Sequence, residues 1–505
     1  MKSLQSILNV LTEVIAIRGD AGQSIRALRY DSRSVGKGDL FVAVNGPDDQ
    51  ALGFVPDALA AGAEAIILDN PEHMPRSGEG VTWILVRDAR RALAEAAACI
   101  FDYPMHDLTL YGITGTNGKT TTAHVLRSIL TGSGVPTGMI GTLGMTIQET
   151  VSTGYTTPES PELMSMLAEM KDAGVKNVVM EVSSHALTLK RVDGLRFAGG
   201  IFTNITQDHL DFHTTFEDYL DAKKSFFDRL DTHAHAVVNI DDVHGATMAR
   251  DSNATIFRYG YRTDADLCIS HTTLTPDGSS WIVTLADAFG GGELKLRTSL
   301  PGNFNVMNVT AACAMAMIAG VSREQLPDLV AGLTPVPGRM ETISLASGGT
   351  AVVDYAHTPD ALESLLQTIR EFLGEGRLLL VFGCGGDRDR GKRPMMGEIA
   401  ARMADSIYVT SDNPRSEDPG KIIDEIIEGI PESYAMVQRI PDRREAIESA
   451  LREVQTGDIL VVAGKGHETY QIIGSERRDF DDREVVRHWR GESTELRNQN
   501  QNAAR

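Results

Sequence analysis

One stretch constrains this chain more than any other. From Leu108 to Gly134 it reads LTLYGITGTNGKTTTAHVLRSILTGSG. An apolar, β-rich run meets Gly112-Ile-Thr-Gly-Thr-Asn-Gly-Lys-Thr120 and passes into a segment of helical spacing that ends on glycine. A glycine-rich turn between a strand and a helix can cradle a phosphate group. Successive N–H groups converge there and the helix N-terminus adds positive potential. Lys119 supplies a charge, and the Thr120 hydroxyl can reach Mg²⁺. The strict spacing G-x-x-x-x-G-K-[ST] is not met, because Ile113 stands five positions before Gly118 and the glycines fall at 112 and 115. A glycine-rich turn with a chance Gly-Lys-Thr is the alternative, and the agreement of strand, loop and helix argues against it.

The remaining segments repeat the same alternation of strand and helix, so the expected class is α/β. At about 150 residues per domain, a chain of 505 residues makes room for three. The expected division is 1–106, 107–336 and 337–505. The first part carries ALRYDSRSVGKGDLFVAVNG, read as strand, turn, strand, and DARRALAEAAACIF, read as a helix. The second continues past the phosphate loop with KNVVMEVSS, FAGGIFTNIT and AHAVVNIDD, buried-looking strands that stop at polar residues. Residues 255–300 alternate apolar and polar around turn residues and suggest an antiparallel hairpin insertion. Pro335, Pro337 and Gly338 mark a linker about which the third part is expected to swing. Beyond it, four apolar strands each end in a polar loop: DYAHTPDAL, FGCGGDRD, SDNPR and AGKGHE. In open α/β sheets, ligands bind at such carboxyl ends. ESTELRNQNQNAAR reads as a frayed tail.

Composition excludes several classes of function. Four well-separated cysteines with no C-x-x-C pair argue against a disulfide framework or a zinc knuckle, and for a reducing cytoplasm. No apolar run reaches the roughly 18 residues of a membrane helix. The amphipathic start MKSLQSILNVLTEV lacks a small-residue cleavage site, against a signal peptide. A net charge of −21 argues against nucleic acid as the partner. It leaves room for anionic small molecules held by a few placed cations.

Three further residues are candidates beside the phosphate loop. Glu181 ends the strand of KNVVMEVSSH, where a carboxylate is either solvated or, next to bound phosphate, a Mg²⁺ ligand. His209 in TNITQDHLDFH is either a polar loop histidine or part of the same site. Lys223 in YLDAKKSFF reads from its spacing as a surface lysine.

Taken together, GTNGKTT, EVSSHAL, FTNITQDHLDFH, YLDAKK, GNFNVMN, PGRME, DYAHTPDAL, FGCGGDRDRGKRP, SDNPR and AGKGHETYQ resemble, in content and order, the Mur ligase family. The resemblance runs from DSRSVGKGDLFVAV to the final helix. It implies three domains: one for the uridine end of a nucleotide-peptide, a central P-loop domain for ATP, and a Rossmann-like one for the incoming amino acid. It implies an ATP-dependent ligase of peptidoglycan precursor synthesis that works through an acyl-phosphate, with small-molecule substrates, Mg²⁺ and a monomeric chain. Carried onto this sequence, Gly115, Thr116, Asn117, Gly118, Lys119, Thr120 and Thr121 would hold ATP, with Asn305, Arg339 and Asp354 approaching the nucleotide. Thr120, Glu181 and His209 would bind Mg²⁺, and Lys223, as a carbamate (N6-carboxylysine), a second Mg²⁺. Lys119, Lys223, Glu181 and His209 would be the catalytic group. Ser32 would meet uridine, and Thr156, Thr157, Ser183 and Arg191 the rest of the nucleotide-peptide. Leu189 stands where some relatives carry Gln, two positions before Arg191.

Asp412-Asn-Pro-Arg415 resembles the signature of family members that add meso-diaminopimelate. That amino acid has a carboxylate and an ammonium at its far end. Arg415 and Arg388 can fork onto the carboxylate. Asp412 and Glu468 can accept from the ammonium, and Asn413, Pro414 and the backbone at Gly464 complete the expected set. The alternative is a turn-rich loop and helix cap. Two other functions compete: a folylpolyglutamate synthetase, which would not need the N-terminal segment or DNPR, and a phosphate-loop NTPase without ligation. A non-catalytic nucleotide-binding module is disfavoured, because the metal and third-part loops are all intact.

Overall fold

The computed structural model describes residues 1–44, 51–76, 80–151, 154–209, 212–275, 277–434 and 436–489; the tail from residue 490 lies outside them. Three sheets organise these residues. The first has five strands. Leu28–Arg29, Leu40–Val42, Ala65–Leu68 and Thr82–Val86 run parallel, and Val14–Arg18 closes one edge antiparallel. The strand-turn-strand segment therefore places its two strands side by side in the same direction, with the short turn Ser32–Ser34 between them.

The central sheet has eleven strands. The phosphate-loop strand Thr109–Thr114 lies in its parallel region, between Asn177–Glu181 and Phe197–Phe202. Parallel pairing continues through His235–Asn239 to Thr255–Gly260, so the antiparallel part of the 255–300 stretch begins only after Leu267. That part, Leu267–Thr275, Gly278–Leu285 and Glu293–Thr298, extends the same sheet.

Two glycines in these strands place a helix. A Cβ at Gly112 would stand 2.4 Å from Phe226 Cζ, and one at Gly200 2.7 Å from Phe226 Cε1. Their bare backbones let the helix Phe216–Asp228 settle against the sheet. The helix starts on a reciprocal Thr215–Asp218 cap, which satisfies two of its free N–H groups. It carries Lys223 inward, with only 1% of that residue exposed. On the opposite face, Lys119–Gly132 packs beside Asn303–Ile318, a helix buried almost all round.

The third sheet orders its strands Glu341–Ser344, Thr350–Asp354, Ile459–Ala463, Leu378–Phe382, Ser406–Val409 and Val437–Arg439, parallel except for the first. The four strands singled out from the sequence are consecutive neighbours, so their carboxyl ends share one edge. The hydrophobic cores divide unevenly. One continuous cluster joins the first and central sheets, whereas the third sheet buries its two faces in clusters of its own. Phe304 is the central-helix residue that packs against that third core. Part of the expected hinge is fastened down. Gly338 lies on Gly466 and His467, so that a Cβ would meet His467 N at 2.0 Å. Met340 N donates to Asp354 Oδ2 at 2.7 Å. Residues 338–341 therefore belong mechanically to the third sheet, and bending room is left on their N-terminal side.

Beneath the shared edge lies an ion pair with both partners fully buried. Arg443 Nε and Nη2 donate to the two carboxylate oxygens of Asp482 at 2.8 and 2.7 Å, and the same guanidinium donates to Ala463 O and Ser411 O. It thus ties two strand ends to the last helix. Asp482→Ala leaves an uncompensated buried cation, and we expect a loss of about 3–5 kcal/mol, measured as a lower urea midpoint for the third sheet's transition.

Candidate functional site

A cavity of about 310 Å³ opens between the phosphate loop and the third sheet. Its floor is the loop itself. Gly115 (φ 150°) and Gly118 (φ 85°) take conformations that favour glycine, and each is closely approached. A Cβ at Gly115 would stand 1.9 Å from Thr203 Oγ1, and one at Gly118 2.4 Å from Asn308 Oδ1. The glycines at 112 and 115, which break the strict motif, therefore answer two separate close contacts: a helix below and Thr203 beside. Asn117 and Thr121 line the cavity. Thr116 Oγ1 meets the Tyr219 hydroxyl at 2.9 Å.

Two lysines converge on the loop. Lys119 Nζ donates to the carbonyls of Gly115 and Thr116 at 2.9 and 2.8 Å. Lys223 Nζ donates to the same Gly115 carbonyl at 2.7 Å. Burial pushes the Lys223 amine well below the usual lysine range, and the Lys119 charge pushes it further. Burial also lowers Lys119, opposed by the carboxylates of Glu181 and Asp208. Glu181, fully buried at its strand end, accepts from Thr120 Oγ1 at 3.0 Å and from Thr142 N at 2.8 Å. Gly141 makes room for it: a Cβ there would stand 2.3 Å from Glu181 Oε1. His209 sits at the cavity wall with φ 55° and its ring edge-on to His185 at 4.8 Å. Burial pushes it down to about 3 despite Asp208 beside it, which keeps the imidazole neutral at ordinary pH.

A carboxylate, a threonine hydroxyl and a neutral imidazole at a phosphate loop form a donor set that suits a cation completing its shell with phosphate and water. Among the described residues no group of three or more His, Cys, Asp or Glu side chains could hold a metal unaided.

The third sheet closes the cavity. Arg339 donates to Thr120 Oγ1 at 3.3 Å and stacks 4.6 Å over the Tyr355 ring, which in turn lies 4.9 Å from His467. Asp354 holds the backbones of Met340 and Ala356; burial raises its carboxyl while Arg339 lowers it. Asn305 turns its amide onto Pro301 O at 2.7 Å. It is Asn308, one helical turn on, that lines the cavity. Asp360 Oδ2 accepts from Asn117 Nδ2 at 2.7 Å, spanning loop and third sheet. Thr142 lies outside every motif read from the sequence, and Asn308 and Asp360 lie within GNFNVMN and DYAHTPDAL without being singled out there.

Thr156, Thr157, Ser183 and Arg191 come together beside Glu181. Thr157 Oγ1 donates to Glu181 O at 2.8 Å and to Ser183 Oγ at 3.2 Å. Thr156 Oγ1 and Thr142 Oγ1 lie 3.1 Å apart. Arg191 bonds Thr157 O and pairs with Glu159 at 2.7 Å. Leu189 caps the short helix Ser184–Thr188 with its backbone N–H, and its apolar side chain has no amide to offer. Ser32 stands apart in the first sheet's turn. Two residues before it, Tyr30 bonds Glu162 on the helix Ser160–Asp172.

The other predicted residues gather at the third sheet's carboxyl edge. Asn413 donates to Glu468 Oε2 at 2.9 Å and accepts from Ile472 N and from Lys465 Nζ. Lys465, fully buried and missed from the sequence, also reaches Glu468 at 3.0 Å. Asp412 is held below the usual carboxylate range, against burial, by Lys465 and Arg443. A Cβ at Gly464 would stand 2.8 Å from its Oδ2. Arg415 (φ 51°) donates one nitrogen to Gly386 O at 2.8 Å, directly after Pro414. Exposed Arg388 stands beside it across Gly385.

Comparison with known proteins agrees with this layout. Residues 24–99 match "Mur ligase family, catalytic domain", 113–316 "Mur ligase middle domain" and 338–466 "Mur ligase, glutamate ligase domain". A UDP-N-acetylmuramoyl-L-alanyl-D-glutamate--2,6-diaminopimelate ligase from Geobacter metallireducens is 42% identical over 493 residues, covering 93% of this chain and 94% of its own. The protein of that name from Thermosynechococcus vestitus is 44% identical over 470 residues, covering 92% and 93%. A solved structure of that name superposes with a TM-score of 0.68 at 33% identity, covering 96% of this chain and 98% of the other.

Gly141→Ala tests whether the Glu181 carboxylate must stand where it does. The added methyl displaces it, and we expect ATP turnover to fall about 100-fold, with the melting profile little changed.

Proposed function

The chain belongs to the Mur ligase family, and from that premise we propose that it joins meso-diaminopimelate to UDP-N-acetylmuramoyl-L-alanyl-D-glutamate with cleavage of ATP to ADP and phosphate. The observation that carries this reading is the cluster at the third sheet's edge. Two arginines, two carboxylates and an amide gather there, a set that matches an amino acid with a carboxylate and an ammonium at its far end. The relatives named above carry the same activity in their names. The first sheet, which a folylpolyglutamate synthetase would not require, supports a uridine-bearing substrate met by Ser32. The division at 106/107 and 336/337 belongs to the same reading, as do action as a single chain and a cytoplasmic location. Among the described residues no helix is long and apolar enough to cross a membrane.

The chemistry follows from the charges. The dipeptide's terminal carboxylate attacks the γ-phosphorus of ATP, giving an acyl-phosphate and ADP. The diaminopimelate amine then adds to the carbonyl, and phosphate leaves with the bonding pair. The first step brings anions together. Loop N–H groups and Lys119 stabilise charge on the phosphoryl group in flight, for which Lys119 exchanges its carbonyl partners for phosphate oxygens. Arg339, beside Thr120, reaches the same phosphates. Asn117, Asp354 and the Asn305–Asn308 turn frame the nucleotide. Thr156, Thr157, Ser183 and Arg191 hold the peptide arm so that its carboxylate faces the loop. Thr120, Glu181 and His209 would hold Mg²⁺, which when bound offsets phosphate charge.

Lys223 belongs in this account as a carbamate. Depressed basicity favours the neutral amine, the form that adds CO₂ with loss of a proton, and the product is an anionic oxygen donor where an ammonium would repel a metal. Lys223→Ala should lose most activity, at least about 100-fold, with partial recovery on adding a short carboxylic acid. A fully active alanine variant would remove this role.

The assignment of the amino acid is tested by the mass of the nucleotide product. Given ATP, the UDP-dipeptide and both diamino acids, the enzyme should form the diaminopimelate adduct in large excess over that of L-lysine. The reverse preference contradicts the reading.

A further inference from the structure

Arg415 and Arg388 reach the third sheet's edge from different loops; Arg415 is bridged through its backbone to the strand Tyr470–Ile473, its N donating to Ile472 O at 3.1 Å, whereas Arg388 lies in no helix or strand. Their separation is set across Gly385, where a Cβ would meet Arg415 Nη1 at 2.9 Å and Arg388 Cγ at 3.8 Å. Two of the residues concerned, Asp387 (φ 53°) and Arg415 (φ 51°), hold left-handed backbone that side-chain-bearing residues avoid. Such conformations persist where surroundings over-determine them.

Here the surroundings are a polar seam between the two loops. Gly386 N donates to Asn413 O at 2.9 Å, and Arg415 Nη1 returns a bond to Gly386 O. Asp387 accepts from Ser416 through both Oγ, at 2.7 Å, and backbone N. Glu417 closes the seam. Its Oε1 accepts from Asp387 N at 2.6 Å, and both oxygens accept from Arg393, at 2.9 and 3.1 Å. Arg393 is fully buried and also donates to Gly385 O at 3.2 Å and to Glu425 at 2.7 Å. One guanidinium therefore grips the first loop directly and the second through Glu417.

We propose that Glu417, seated on Arg393, is a positioning residue that fixes the spacing of Arg388 and Arg415 and so governs which amino acid the third sheet accepts. This rests on the ligase reading above. Glu425 supplies the internal comparison. It is a carboxylate on the same guanidinium and, among the described residues, reaches the first loop only through a long 3.8 Å pair with Arg390, which Glu417 itself holds at 2.8 Å, so its removal perturbs Arg393 without opening the seam.

The test is steady-state kinetics at saturating ATP and UDP-dipeptide, with meso-diaminopimelate and L-lysine as alternative acceptors, on wild type, Glu417→Gln, Asp387→Asn and Glu425→Gln. Glu417→Gln should raise KM for diaminopimelate about tenfold or more with kcat within about threefold, and narrow the preference over lysine. Asp387→Asn, exposed and safe for folding, should shift KM in the same direction by less. Glu425→Gln should stay within about twofold of wild type. An unmoved KM in both seam variants, or equal effects from Glu417→Gln and Glu425→Gln, overturns the assignment. A wild type that uses no diaminopimelate overturns the ligase reading instead.

Discussion

Two lysine amines meet at one carbonyl oxygen, that of Gly115, and the rest of the cleft is arranged around this fact. Two ammonium groups so close in a water-poor site repel strongly, since Coulomb energy rises as the local dielectric falls. Lys223 yields, because burial and the Lys119 charge both act against its cation and only Asp208 opposes them. Lys119 keeps a route to the cavity, with Glu181 and Asp208 to oppose its loss of charge. Both amines are thus lowered by burial, Lys223 the further, and Lys119 is the one that lines the cavity. The difference depends on how near the helix Phe216–Asp228 can approach, and that is set by Gly112 and Gly200 lying bare beneath Phe226. A packing detail in the middle of two strands thus sets how deeply the Lys223 amine is buried.

The same economy shows in how the third sheet is attached. The first and central sheets share a continuous apolar core, which resists relative displacement. The third has its own core and meets the phosphate loop largely through polar contacts, Asn117 with Asp360 and Thr120 with Arg339. Polar contacts can be exchanged with water at small net cost, whereas apolar surface cannot. Because Gly338 lies on the Gly466–His467 turn and Met340 bonds Asp354, Arg339 between them is fixed to the third sheet. Arg339 and Asp360 therefore reach the loop from the same unit, and Tyr355 and His467 continue that contact toward Glu468.

How much of this was legible in the sequence follows from the range of each interaction. The phosphate loop and the four strand ends were readable because their signals are local: an apolar run followed within a few residues by glycine, lysine or proline. Lys223 was not readable from its own helix, where it looks like a surface lysine; only the resemblance to the family drew it in. Its burial depends on Gly112, more than a hundred positions away. Glu181 was visible as a strand-end carboxylate, but the glycine that accommodates it, Gly141, sits in a neighbouring strand without a motif. The parallel pairing of Leu28 with Leu40 was hidden because strand direction is decided by what lies between, not by the strands. The choice of Asn308 over Asn305 as the cavity-facing amide was hidden for a simpler reason. Both belong to one helix, and which face is turned inward depends on a neighbour, Gly118, that the helix pattern does not contain.

A chain with a net charge of −21 that handles anionic substrates must confine its cations, and the structure shows two ways of doing so. At the phosphate loop, cations lean on backbone carbonyls, which hold them loosely enough for phosphate oxygens to take over. At the third sheet's edge, buried Arg443, Arg393 and Lys465 are each neutralised by a carboxylate and bonded to carbonyl or amide oxygens, so they remain as framework. Arg415 stands between these cases. One guanidinium nitrogen is committed to Gly386, and among the described residues the other two guanidinium nitrogens have no hydrogen bond. A guanidinium anchored at one corner keeps its plane while leaving an edge to offer. That is the condition for a forked bond to an arriving carboxylate, and it distinguishes this arginine from Arg393 and Arg443 beneath it, which already face carboxylates.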